Sequence, residues 1–346
     1  MEKIRFGIVG TGFISDWLIA GGSLDPRFEV TALYSRTEER AMEFARKYNI
    51  PHIFTSLEKM VSSPCVDAVY IASPNYKHAE QSILCMEFGK HVLCEKPMAS
   101  NAREVEAMIR SAKKNHVLLM EAMRTTLSPN FYIVQQFIGK IGRVRRYFSS
   151  YCQYSSRYDK FKEGIILNAF KPELSNGAIM DIGVYTVYPM IVLFGRPQSI
   201  GADGILLSTG VDGQGTANFH YQDMNATVIY SKIADSGLPT EIQGENGNIV
   251  IDRINTFGKV SLLPHSAPAL GRGVPPEPEN IGVPIDKDPY FYEIEEFISL
   301  IQAGRLESRN NCLDNSLAVM ECIDEIRRQI GVVFPSDALK DISIEQ

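Results

Sequence analysis

The chain is poor in the residues that usually mark a metal centre or a disulfide framework. Its six histidines and six cysteines are scattered over 346 residues, and no two cysteines form a Cys-x-x-Cys pair. No metal site is expected, and the cysteines read as free thiols, mostly buried, in a reducing cytoplasm. Basic charge is in deficit: 35 Lys and Arg face 41 Asp and Glu, for a formal net charge of -6. Such a chain has no cation surplus with which to displace counterions from a phosphate backbone. Nucleic acid and anionic membrane are therefore poor candidate partners. No apolar run approaches the length of a membrane span. The first residues already read as a strand and carry no signal-peptide pattern.

What is present is ordinary for a soluble globular protein, with 45% hydrophobic and 22% charged residues, and the length favours two domains. Residues 1–123 alternate apolar strands (5–9, 28–34, 66–72, 92–94, 117–120) with helical patterns (13–20, 38–48, 78–88, 102–114). Continuous apolar strands separated by helices imply a doubly wound parallel sheet covered on both faces. Residues 124–346 read as an α+β domain. A helix over 130–138 leads into strands of period-two alternation, interrupted by a helix over 179–193. That pattern predicts a large, mostly antiparallel sheet with one open face. A Pro- and Gly-rich stretch over 264–288 reads as a surface loop, and two amphipathic helices close the chain.

Gly10-Thr11-Gly12-Phe13-Ile14-Ser15 sits between the first strand and the first helix. The first glycine permits a tight turn, and the second lets a pyrophosphate approach the helix N-terminus. Ser15 replaces a third glycine and is small enough for close helix–strand packing. In this position the motif predicts dinucleotide binding. At the end of the second strand, where an acid would bond the adenosine ribose of NAD, the chain has Ser35-Arg36-Thr37. A hydroxyl and a guanidinium suit a 2′-phosphate, so NADP is expected in preference to NAD.

A second device lies at residues 91–97, where the strand His91-Val92-Leu93-Cys94 ends in Glu95-Lys96-Pro97. Proline fixes its own φ and restrains its predecessor, so Lys96 is a charge presented at a strand end, where such sheets bind ligands. With Ser73-Pro74-Asn75-Tyr76-Lys77-His78 and Asn176-Gly177-Ala178-Ile179-Met180-Asp181-Ile182-Gly183-Val184-Tyr185, these stretches resemble the Gfo/Idh/MocA oxidoreductases over essentially the whole chain. The resemblance implies that Pro74, Asn75 and His78 line the nicotinamide ribose side of the cofactor, with Ser73 also a cofactor contact. Glu95 and Lys96 would hold that ribose and the nicotinamide, with Lys96 also reaching a substrate hydroxyl. Most of the family has His where this chain has Tyr185. Tyrosine there is similar to the dihydrodiol dehydrogenases of the family, which oxidise trans-diols and some pyranoses.

Asp181 and Tyr185 stand at i and i+4, on one face of the expected helix. Oxidising an alcohol needs a base for the hydroxyl proton. A phenol is a poor one at neutral pH unless an ammonium group beside it favours the phenolate. These readings assign Tyr185 as general acid/base, Lys96 as activator or alternative base, and Asp181 as an anchor for a substrate hydroxyl. Arg124 is expected at the nicotinamide end or on an anionic substrate group. Tyr158, Asn168 and Phe170 are candidate substrate contacts. The expected activity is hydride transfer between nicotinamide and a sugar, cyclic polyol or vicinal trans-diol. An NAD-dependent glycosidase and a non-catalytic dinucleotide-binding regulator are the alternatives. The resemblance, and the open sheet face, imply a homodimer or higher homo-oligomer through the C-terminal sheet.

Overall fold

The computed structural model describes residues 2–265 and 277–338. The first sheet is built from β1 (Ile4–Val9), β2 (Phe28–Tyr34), β3 (His52–Phe54), β4 (Ala68–Ile71), β5 (His91–Glu95) and β6 (Leu119–Ala122). Their spatial order is β3-β2-β1-β4-β5-β6, and every neighbouring pair is parallel. This is the doubly wound order whose switch point lies between β1 and β4, where nucleotides bind. The helices α1 (Phe13–Gly22), α2 (Glu38–Tyr48), α3 (Leu57–Ser62), α4 (His78–Glu87) and α5 (Ala102–Asn115) connect the strands. β3 and α3 are too short to show a period in the sequence. Full burial of β4 explains its unbroken apolar run Ala68-Val69-Tyr70-Ile71.

After β6 come α6 (Pro129–Phe137), β7 (Val144–Cys152), α7 (Tyr158–Lys162) and α8 (Val184–Phe194). The second sheet is completed by β8 (Ser199–Leu206), β9 (Asp212–His220), β10 (Asn225–Ser231), β11 (Thr240–Gly244), β12 (Gly247–Ile251), β13 (Val260–Pro264) and β14 (Glu279–Asn280). Its order is β14-β13-β12-β11-β7-β10-β9-β8. It is mixed: all neighbours are antiparallel except β7 and β10, which run parallel. The exception follows from connectivity. The chain leaves β7 through α8, enters at the far edge as β8, and zigzags inward until β10 meets β7. β14 corrects the expectation of an uninterrupted loop over 264–288, of which residues 266–276 lie outside the described residues.

One face of this sheet is core. Ile249, Ile242, Tyr147, Ala226 and Phe219 lie side by side across five strands, each at most 1% exposed. The other face carries Val250, Glu241, Phe148, Thr227 and Asn218 in the same cross-strand relation, a mixture of polar and apolar groups.

The last two helices are α9 (Pro289–Gln302) and α10 (Leu313–Ile330). Asp288 caps α9 by accepting from the Tyr290 N–H at 2.9 Å. Tyr290, Ile294, Phe297 and Ile298 of α9 share a core with Phe6, Ile8 and Leu33, so this helix crosses back to the parallel sheet. The helical stretch Pro172–Phe194 is long and apolar enough to span a membrane, contrary to the sequence expectation, but it is largely buried inside the protein.

The expected single helix over 179–193 is two pieces, a π-helical turn over Ile179–Gly183 followed by α8. The Asp212 carboxylate accepts from the backbone N–H groups of Ala178 and Ile179 at 3.0 and 2.7 Å and fixes the start. Gly183 lets the wide turn press onto β10: a Cβ there would lie 3.0 Å from the Tyr230 ring. Such turns recur at functional sites, and this one carries Asp181.

Candidate functional site

The glycine loop fits a dinucleotide. Gly10 has φ +114°, and a Cβ there would lie 2.6 Å from the Ala72 carbonyl oxygen at the end of β4. Only glycine serves at that crossing. Gly12 caps α1, and a Cβ there would meet nothing within 4 Å. Ser15 is fully buried, and its hydroxyl donates to the Gly10 carbonyl at 2.9 Å, locking the loop that a third glycine would merely have allowed to pack. Thr11 and Ile14 complete this loop. Phe13 is half exposed beside Trp17, with the Arg157 guanidinium 5.8 Å from its ring centre.

Ser35 is buried at the end of β2, while Arg36 is exposed. Arg36, Pro74 and Tyr76 line one wall of a cleft of about 550 Å³ whose other wall includes Asn168 and Lys171. Asn168, a candidate substrate contact, thus lines the Arg36 cleft. Ser73 presents a buried hydroxyl that has no protein partner. Asn75 donates to the Ser175 carbonyl at 2.9 Å and to the Asn176 side chain at 3.1 Å.

His78, expected beside the cofactor, packs into the scaffold. It is 1% exposed, with its ring nitrogens 2.9 and 2.8 Å from the carbonyl oxygens of Pro97 and Ser73. Burial holds its pKa below the ordinary imidazole value. It ties the β4 loop to the Lys96–Pro97 turn, whose peptide is cis. Glu121 supports the same turn from β6, accepting from the Met98 N–H at 3.0 Å, and burial pushes its carboxyl up to about 7.

At the tip of β5, Glu95 is buried, accepts from the Tyr70 hydroxyl, and has its carboxyl raised by burial. Lys96 reaches across to the π turn. Its Nζ donates to the Asp181 carbonyl at 2.7 Å and to Asp181 Oδ1 at 3.2 Å, and lies 4.8 Å from the Tyr185 ring centre. Lys96 is thus brought from a distant part of the sequence to Asp181 and Tyr185. Burial pushes the Lys96 amine down, but Tyr185, Asp181 and Glu95 outweigh it and the net direction is up. Burial pushes the Asp181 carboxyl up, but Lys96 and Lys232 outweigh it and hold it below the ordinary range. Arg124 lies against Tyr185 and Tyr290, 6.0 and 5.0 Å from their ring centres, and its buried Nε has no protein partner.

Two neighbours of this cluster carry no motif. Lys232, just past β10, binds Asp181 Oδ2. Tyr151, near the end of β7, meets the Tyr185 ring edge-on at 5.6 Å and accepts from Asn255 at 3.1 Å. Tyr151 also lines a cavity of about 440 Å³ whose other walls include Ser150, Gln153, Asp235, Asp252 and Asn255. Hydroxyl, amide and carboxylate groups of this kind match a polyhydroxylated molecule. Phe170, expected to face substrate, is fully buried in a small cluster with Ala169 and Val211, against which Tyr158 packs. Among the described residues no three His, Cys, Asp or Glu side chains are placed to hold a metal ion.

The family model GFO_IDH_MocA, described as an oxidoreductase family with an NAD-binding Rossmann fold, matches residues 4–123, and the GFO/IDH/MocA C-terminal domain matches residues 137–250. The chain is 51% identical to scyllo-inositol 2-dehydrogenase (NADP(+)) of Bacillus subtilis, covering 96% of this chain and 99% of that one. It is 31% identical to trans-1,2-dihydrobenzene-1,2-diol dehydrogenase of Danio rerio, over 97% and 99% of the two chains. Levoglucosan dehydrogenase shares the fold with a TM-score of 0.80 at 21% identity, over 95% and 98%.

Proposed function

The chain belongs to the Gfo/Idh/MocA family and is an NAD(P)-dependent oxidoreductase of CH–OH groups; from that premise we propose that it is an NADP-dependent dehydrogenase of a cyclic polyol, with scyllo-inositol the first substrate to test. The observation that carries this reading is the convergence of Lys96, Asp181 and Tyr185, with Tyr151, which packs on Tyr185, lining a polar cavity. The glycine loop, Ser35 and Arg36 would hold the adenosine and pyrophosphate end of the cofactor, and Glu95, Lys96 and Arg124 its nicotinamide end. Bound there, the nicotinamide supplies the hydride acceptor.

The protein's own task is the hydroxyl proton. Lys96 and Tyr185 form the pair that takes it, with Lys96 holding a proton in the resting enzyme and Tyr185 passing one to or from the alcohol oxygen. Asp181 orients Lys96 and offers its remaining lone pairs to a substrate hydroxyl. Arg36 supports NADP: an exposed guanidinium at the end of β2 suits a 2′-phosphate, and the relative at 51% identity carries NADP in its name. Six free thiols suit a reducing cytoplasm. The open sheet face, with Phe148 and Val250 among its polar groups, supports a homodimer, which sedimentation at micromolar concentration tests.

A panel of inositols, aldoses and vicinal diols, assayed with NADP and NAD by nicotinamide absorbance, tests the function. Reduction of NADP by an inositol supports the reading. No absorbance change with any member, despite bound cofactor, counts against it.

A further inference from the structure

Asp181 is held by two lysines, and only Lys96 belongs to a sequence motif. Lys232 is 4% exposed, and its backbone is fixed on both sides, by Gly213 O at 2.8 Å and Ser155 N at 2.9 Å. Its Nζ sits on Asp181 Oδ2 and 6.0 Å from the Phe170 ring centre. Lys96 takes the other oxygen at 3.2 Å. One carboxylate therefore meets two ammonium groups. Keeping a second cation there carries a desolvation cost that an apolar side chain of similar length would avoid. A packing role does not require the charge.

We propose that Lys232 is a positioning residue for the proton-handling pair: by taking one oxygen of Asp181 it shares that carboxylate's charge, so that Lys96 is not locked to it as a closed ion pair. The inference rests on the reading of Lys96 and Tyr185 as the reacting pair. The groups facing Lys96 are Glu95 beside it, His78 and Glu121 beneath, Asp181 of the π turn, and Tyr185 and Tyr151 opposite, with Arg124 beyond. Removing the Lys232 charge leaves Asp181 to Lys96 alone and takes a like charge away. Both changes hold the proton on Lys96 more tightly.

The variants are Lys232→Met, Lys232→Gln and Lys232→Arg. Gln keeps a hydrogen bond to Asp181 without the charge, and it carries the test if the Met variant does not fold. The direct readout is the rate at which limiting acetic anhydride labels Lys96, followed by mass spectrometry, since only the free amine reacts. At about pH 8 the Met and Gln variants should label Lys96 about tenfold more slowly than wild type, one unit of pKa being tenfold in free amine. Arg should restore the rate, and other lysines should not change. In polyol oxidation the alkaline limb of kcat/KM should move up by about one pH unit in the Met and Gln variants only. Wild-type labelling of Lys96 in a folded Met or Gln variant overturns the proposal. If wild type oxidises no polyol, the functional reading fails, while the labelling still decides the role of Lys232.

Discussion

The two ends of the proposed cofactor site are built differently. At the end proposed to react, Asp181 bonds both Lys96 and Lys232, and the lysine side chains are 13% and 5% exposed. At the other end Arg36 is exposed on a loop. Charges fixed in a low-dielectric site are held in one geometry, as chemistry requires. A charge on a solvated loop selects a ligand by its presence and can be exchanged at little cost to the fold. The contrast teaches that mutations at the reacting end should change rate and stability together, whereas those at Arg36 should change only which cofactor binds.

Asp181→Asn breaks the comparison at its tightest point. It leaves two lysines without their carboxylate, and turnover should fall about 10²–10³-fold, read from steady-state rates. Because the Asp181 carboxyl is held below its ordinary value, its stabilising effect is complete above about pH 4 and is lost as pH falls further. Thermal unfolding should therefore show a constant gap between wild type and Asp181→Asn from neutral pH to about pH 5, closing at more acid pH.

Tyr185→Phe should cost about 10²-fold in turnover while leaving NADP affinity within about threefold, measured by quenching of protein fluorescence. Equal loss of affinity would place Tyr185 in cofactor binding instead. At the solvated end, Arg36→Glu should lower kcat/KM for NADP about 10–100-fold, leave that for NAD nearly unchanged, and not alter the melting temperature. The smallest effect concerns the support beneath Lys96. Burial raises the Glu121 carboxyl from 4.5 to about 7, so its ionisation opposes folding increasingly as pH rises through that window. Glu121→Gln keeps an acceptor for the Met98 N–H. Its melting temperature should exceed that of wild type above about pH 7 and converge with it near pH 5.

The parts of the site that could be read from sequence are those where a local backbone demand fixes the residue type. Gly10 must pass the Ala72 carbonyl, and Pro97 must follow the strand that presents Lys96. Asp181 and Tyr185 are legible as an i, i+4 pair, although the turn that carries Asp181 is π-helical and packs at Gly183 onto Tyr230. Lys232 and Tyr151 left no local signal. They reach the site through the parallel pairing of β7 with β10, where Ser231 lies opposite Cys152, and pairing at that sequence distance is not encoded in a short window. The resemblance implies a cofactor contact for His78, and the sequence carries no sign that its ring is buried between the carbonyls of Pro97 and Ser73.

The central claim is that Lys96 serves the reaction and not merely the binding of the dinucleotide. The most direct test is Lys96→Met, assayed for NADPH binding by fluorescence titration and for scyllo-inositol oxidation with NADP in the same preparation. The account predicts NADPH affinity within about tenfold of wild type and turnover reduced by 10²–10⁴, roughly the range of general acid–base catalysis. A variant that binds NADPH and keeps wild-type turnover contradicts it.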